Sequence, residues 1–270
     1  AMLNTDGTIN RQLLQNGSFN TKGYSISYRE NGEPVFNRPE TNAVAGDENW
    51  APDFAIPGTN GLINTVCLDG SDLYAGGIFS KAGGITVNNI AKWNGNIWTA
   101  MGTGIGGSTV QVTGIRKSGN FVYATSTIGV HRWDGTSWTQ IGNFTQSLYS
   151  TLSASALEVD ANGNLYVTGD FVNMNGVTVN GIAKWNGTSW SALGTGIDNP
   201  GGGFGVCLAV QGNNVYLGGG FTRVGGVLAT NIAIWNGSNW NRLGTGITTI
   251  GVVTSLAVSG NNIYVACPGM

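Results

Sequence analysis

This sequence is short of charge. Asp, Glu, Lys and Arg together make up 10% of its 270 residues, where an ordinary soluble domain carries roughly 25%. The formal net charge is −2 and no basic patch stands out. That argues against a nucleic-acid partner, whose phosphates require a basic footprint. Histidine occurs once, as His131, so a multi-histidine zinc or copper site is excluded within this chain. The three cysteines, Cys67, Cys207 and Cys267, are odd in number and widely spaced. They form neither a disulfide framework nor a CxxC metal pair, and small buried hydrophobes are the plain reading. No apolar run approaches the roughly 18 residues of a membrane-spanning helix. No helical periodicity of useful length is present, and no signal peptide opens the sequence. Ala1-Met2 reads as a cloning remnant, so compartment stays open on that point.

What replaces the charge is glycine, 45 residues of it, with Asn, Thr and Ser. A surface solvated by neutral hydrogen-bonding groups suits a secreted, cell-surface or virion setting. Hydrophobic residues reach 41%, enough for a sizeable core.

Self-similarity is plain. Four segments read Trp-(Asn/Asp)-Gly-x-x-Trp: Trp93 to Trp98, Trp133 to Trp138, Trp185 to Trp190 and Trp235 to Trp240. The second Trp recurs at steps of 40, 52 and 50 residues, and a degenerate copy ends at Trp50. Upstream of each pair lies a run such as Asp72-Leu-Tyr-Ala-Gly-Gly-Ile-Phe79 or Asn214-Val-Tyr-Leu-Gly-Gly-Gly-Phe221. Before that comes a short alternating run such as Ser255-Leu-Ala-Val-Ser259. Each unit therefore reads as four short strands bounded by Gly, Asn and Asp. The Asn-Gly and Asp-Gly pairs at 94, 134, 186 and 236 are expected to supply the positive φ of tight turns. One four-stranded meander cannot bury both faces, but copies packed around an axis can.

The Gly-Gly closing the second strand, followed by an aromatic residue and the Trp pair, resembles the kelch pattern. Gly76-Gly77 with Trp93 and Trp98 carry it best, and Gly218-Gly219 with Trp235 and Trp240 match. The resemblance covers roughly residues 60–270 and is closest to bacterial repeats related to the galactose-oxidase central domain. It departs in having Trp where Tyr is common and Asn-Gly where Asp-Pro is common. It implies an all-β fold: a β-propeller of about five four-stranded blades, with six as the alternative count. The last copy stops after its second strand, and the first offers only Gly23–Tyr28 and the Trp50 region. A split blade is expected to close the ring, residues near 252–267 giving its inner strands and residues near 23–54 its outer ones. Alternatively, residues 8–36 form a complete blade. Residues 1–22 are expected to be an extension ahead of a single domain over 23–270.

The longest connections, at 77–89, 169–181 and 219–231, fall on one end of the sheets, where binding residues concentrate. Lys81, Asp170, Asn173 and Arg223 vary there as a recognition surface would, and they are the candidate ligand-binding residues. The second repeat lacks its long loop, so a notch is expected over 124–130, either a groove or simple drift. Phe79, Phe171 and Phe221 share one position and read as core plugs rather than stacking platforms. Asp160, Asn162 and Asn164 resemble the opening of a Ca²⁺ loop but fit a turn between strands better. The expected function is non-catalytic recognition: a surface, secreted or phage-tail-like module binding a glycan (lectin-like) or a protein, with no cofactor and no metal. A structural assembly scaffold is the second reading. A carbohydrate-active hydrolase is the third, its possible carboxylates being Glu30, Glu33, Glu48, Asp53, Asp170 and Asp198, which show no diagnostic spacing. Oligomeric state and ligand identity are not written in the sequence.

Overall fold

The computed structural model describes residues 25–32, 34–37, 58–145, 153–198, 203–248 and 251–268. The chain divides into two units, Ala1–Ala55 and Ile56–Met270. The boundary expected between residues 22 and 23 lies outside the described residues, as does Trp50. In the first unit β1 (Ser25–Tyr28) pairs with β2 (Pro34–Asn37) as a hairpin. The pairing expected between this strand and the Trp50 region lies outside the described residues.

The second unit is a series of antiparallel meanders. The first sheet takes β3 (Leu62–Asp69) and β4 (Asp72–Ile78), then a small hairpin of β5 (Lys81–Ala82) and β6 (Ile85–Thr86), then β7 (Ile90–Trp93) and β8 (Trp98–Ala100). Its order is β3-β4-β7-β8. The second sheet has four strands without an insert: β9 (Val112–Ser118), β10 (Phe121–Ser126), β11 (Gly129–Trp133) and β12 (Trp138–Gly142). A short β13 (Phe144–Thr145) leads to the third sheet, with β14 (Ser153–Val159), β15 (Leu165–Asp170), the hairpin β16 (Asn173–Met174) and β17 (Val177–Thr178), then β18 (Ile182–Trp185) and β19 (Trp190–Ala192). The fourth repeats it with β20 (Phe204–Gln211), β21 (Asn214–Gly220), the hairpin β22 (Arg223–Val224) and β23 (Val227–Leu228), then β24 (Ile232–Trp235) and β25 (Trp240–Arg242). A final pair, β26 (Ser255–Ser259) and β27 (Asn262–Ala266), ends the series. Successive sheets meet through their first strands: β3 on β9, β9 on β14, β14 on β20 and β20 on β26.

Repeat positions explain the stacking. Tyr74, Tyr123, Tyr166 and Tyr216 are buried, each clustering with an aliphatic residue of the next sheet: Ile115, Leu157, Leu208 and Leu256. The Trp pairs sit across each outer hairpin with ring centroids 5.4–5.6 Å apart. The second Trp also latches onto the preceding sheet. Trp138, Trp190 and Trp240 donate their indole N–H to the carbonyls of Met101 (3.0 Å), Ile141 (2.7 Å) and Leu193 (2.7 Å).

The Gly-Gly pair has a geometric cause. A Cβ on Gly76 would come 2.5 Å from Val112 of the next sheet, and one on Gly77 would come 1.9 Å from the Leu62 carbonyl. The register slips opposite this pair, between Ile63 and Thr65, the signature of a β-bulge. The extra residue is put to use: Asn64 and, in the second sheet, Thr113 bond the carbonyls of Val112 (3.1 Å) and Ala154 (2.7 Å) in the following sheet. Where the third sheet has Thr168 in place of the first Gly, the fourth sheet supplies Gly205, whose Cβ would fall 1.8 Å from the Thr168 hydroxyl.

The turns correct one expectation. In the Asn-Gly and Asp-Gly turns only the glycines take positive φ, from 93° to 103°. Asn94, Asp134, Asn186 and Asn236 act through their side chains instead, each Oδ1 accepting the N–H groups two and three residues further on at 2.8–3.0 Å. This is an Asx turn.

Candidate ligand-binding face

In a meander the first and third connections leave one end of a sheet, and the second connection and the linker leave the other. The first end holds only tight turns. The second holds the hairpins β5–β6, β16–β17 and β22–β23. The central dipeptides of these hairpins, Gly83-Gly84, Asn175-Gly176 and Gly225-Gly226, all have positive φ, as two-residue I′ turns require. Each hairpin is tied to the linker ahead of its sheet: β16 gains β13 as a third strand, and the other two hairpins are held by the single bridges Thr59–Ala82 and Ile197–Val224. The hairpins were legible only as loops, although their Gly-Gly and Asn-Gly pairs are a sequence signal.

Lys81, Asn173 and Arg223 open the three hairpins at one shared position. Lys81 and Arg223 are exposed and Asn173 is half-buried. Their backbones are fixed. Asn60 Oδ1 accepts the Ser80 and Lys81 N–H groups at 2.9 and 2.8 Å, Asn173 pairs with Thr145 and Thr178 in its small sheet, and Asp198 N–H donates to the Arg223 carbonyl at 3.2 Å. The Asn173 side chain also accepts from the Thr178 hydroxyl at 3.1 Å. The three lie on separate sheets and are not brought into one pocket. Asp170 differs from the other three: it ends β15 and is buried, opposite Ser153. It sits in the frame rather than on the display surface.

A cavity of about 280 Å³ opens beside the first hairpin, lined by Asn60, Phe79, Ser80, Asn88, Asn89 and Ser108 among others. Much of its polar lining is already engaged. Asn89, with φ 62°, accepts from Phe79 N–H at 3.2 Å and donates to Ile105 and Gly107 carbonyls at 2.9 Å. Asn231, with φ 63°, repeats this with Phe221, Ile247 and Gly251. Asn88 and Asn180 bond the carbonyls of Thr103 and Thr195 at 2.6 and 2.7 Å. Sequence reasoning passed over these locks, though Asn88-Asn89, Asn180-Gly181 and Thr230-Asn231 recur before Ile-Ala. Phe79, Phe171 and Phe221 are buried beneath the hairpins as core.

In the second sheet the connection shrinks to Thr127 and Ile128. Ser126 Oγ lies 2.9 Å from His131 Nε2 and accepts the Ile128 N–H at 3.2 Å. Both side chains are buried, and burial pushes the imidazole down to about 4. Sealed from solvent, the pair braces the turn and offers no exposed nucleophile. Asp198, a candidate hydrolase carboxylate, accepts the Gly226 N–H at 2.7 Å and so holds the linker to its hairpin. Glu33, Glu48 and Asp53 lie outside the described residues. Asp160 shapes its turn: its carboxylate accepts from the Asn162 and Asn164 N–H groups, the Asn164 amide and the Tyr166 hydroxyl at 2.7–3.1 Å. Burial acts to raise its pKa, but these bonds outweigh it and hold it below the usual range. Of the cysteines, Cys207 is buried, and burial pushes its thiol up to about 11; Cys67 and Cys267 are half-buried and free.

No family model and no curated protein matches this sequence. Two crystal structures of the extracellular domain of BT4673 from B. thetaiotaomicron, described as a one component and as a hybrid two component system, are similar over 90% of this chain. Their TM-scores are 0.53 and 0.51 at 11% and 15% identity, and the chain spans 30% of their length. With the serial stacking of four-stranded meanders, these likenesses define the class: a β-propeller-like fold.

Proposed function

We propose that the chain is a non-catalytic recognition module, a kelch-like propeller from a secreted, cell-surface or virion-associated protein, that binds a glycan or a protein on its hairpin-bearing end. One observation carries this reading: three hairpins of one shape, fixed to a rigid frame, present different side chains, Lys81, Asn173 and Arg223, at one position. Constant geometry with variable display is how loop-borne recognition works. Location outside the cell is supported by the low charge and is carried over from the neighbours, which are extracellular domains.

The reading includes a closed ring of about five blades with a split blade. Its support lies in unmatched ends. Among the described residues, no acceptor is found for the Trp98 indole N–H, and the Leu243 carbonyl receives Gly246 N–H but no Trp. Tyr264, equivalent to the four buried tyrosines, is 59% exposed, and Val66, equivalent to Ile115 and Leu157, is 53% exposed. Each is half of the junction that the interior sheets complete. The same exposed apolar strand, with Leu62 and Leu68, favours the scaffold reading if it mates with another chain.

A glycan array and affinity capture with the intact chain, run beside a K81A/N173A/R223A variant, test the proposal. Binding that the variant loses supports it. Binding that the variant retains refutes the hairpin end as the site, and silence with both ligand classes leaves the scaffold reading.

A further inference from the structure

At the tight-turn end, opposite the hairpins, a second cavity of about 300 Å³ opens between the first and second sheets. Tyr74, Lys92 and Thr99 line it from one side, Lys117, Asn120 and Trp133 from the other. Lys117 breaks the repeat. By cross-strand register its equivalents are Leu68, Val159, Val210 and Val258, all apolar. A charged residue at an apolar repeat position, in a chain this poor in charge, marks a functional departure from the rules of the fold.

The charges at this junction come in pairs. Lys92 Nζ lies 2.7 Å from Asp72, and Lys117 Nζ lies 3.5 Å from Asp69 and contacts the Gly119 carbonyl. Lys92 also sits 5.8 Å from the Tyr74 ring centroid. The lining therefore offers ammonium donors, an amide and an aromatic wall, and the carboxylates of Asp69 and Asp72 balance the two ammonium charges. An anion would gain little there. A ligand carrying vicinal hydroxyls on one face and C–H groups on the other matches both the hydrogen-bonding and the aromatic parts. The volume is at the low end for ligand pockets, the size of a single ring.

We infer that the junction between the first and second sheets is a binding site for one neutral hexopyranose unit, with Lys117 and Asn120 meeting its hydroxyls and Trp133 its apolar face. The site is separate from the hairpin end and stands or falls independently of it.

The test is an NMR titration of the intact chain with methyl glucoside, galactoside and mannoside, with methyl glucuronide alongside. The expected result is that at least one neutral glycoside shifts the Trp133 indole and Asn120 amide signals. K117V, which restores the residue of the other sheets and should fold at least as well, is expected to weaken that binding tenfold or more. The K81A/N173A/R223A variant is expected to leave it unchanged. The inference is overturned if no neutral glycoside moves these signals, if only the glucuronide does, or if K117V binds as the parent does.

Discussion

Acidification from pH 7 to pH 4 is expected to cost this protein stability through one residue that can be isolated, His131. Its imidazole is buried against Ser126, and burial lowers its pKa from 6.5 to about 4. The unfolded chain takes up the proton near pH 6.5, whereas the folded chain resists until about pH 4. Between those values the unfolded state binds more protons, so stability falls as pH falls. The contribution is complete above pH 6.5, is lost progressively down to about pH 4 and is constant below. At ~1.4 kcal/mol per pKa unit the loss comes to roughly 3 kcal/mol. Carboxylates also titrate toward the lower end, so the informative quantity is a difference. Urea unfolding followed by Trp fluorescence across pH 4–7 compares the protein with H131Q, which cannot titrate. The stability advantage of the parent should shrink by about 3 kcal/mol as pH drops. As the chain has one histidine, its NMR titration is unambiguous. A pH-independent difference, or a ring titrating near 6.5, refutes the burial argument.

Other perturbations test the packing. W240F removes a latch to Leu193, while W98F removes an indole that has no acceptor among the described residues, so W240F should be the more destabilising by about 1 kcal/mol for the bond plus the larger loss of buried ring, read from chemical denaturation. G225A places a Cβ 2.4 Å from Trp240 at φ 56°, whereas G226A meets nothing within 4 Å at φ 79°; both carry left-handed strain of about 1 kcal/mol, and only G225A should add a clash, visible as a clearly lower Tm. N231A deletes three hydrogen bonds to a part-buried loop junction and should cost about 2 kcal/mol, with local amide exchange around Ile247 accelerated first.

Much of the fold was legible because its determinants are local. The Trp pairs, the Tyr of each second strand and the Asx turns each act within one hairpin, and their spacing sets the strand order. What escaped the reading depends on contacts between repeats. Gly77 is needed because the inner strand bulges opposite it, Gly205 because Thr168 stands in the sheet before it, and Lys117 becomes unusual only when cross-strand register aligns it with three valines and a leucine. The hairpins were hidden for another reason: two-residue strands are too short to show alternation. Of the four candidate residues, Lys81, Asn173 and Arg223 open the small hairpins, while Asp170 ends a strand of the main sheet. The burial of Asp170 was not legible, because it depends on the cross-strand pairing that sets Asp170 opposite Ser153.

Ring closure can be measured against the chain's own repeat. Spin labels at Ser71 and Asn261 sit in equivalent tight turns of the first sheet and the last pair, and labels at Asn213 and Asn261 occupy the same turns of two sheets already in contact. With native cysteines replaced, pulsed electron resonance should give the first pair the same narrow distance as the second. A long or broad distance for Ser71–Asn261 beside a narrow one for Asn213–Asn261 would contradict a closed propeller.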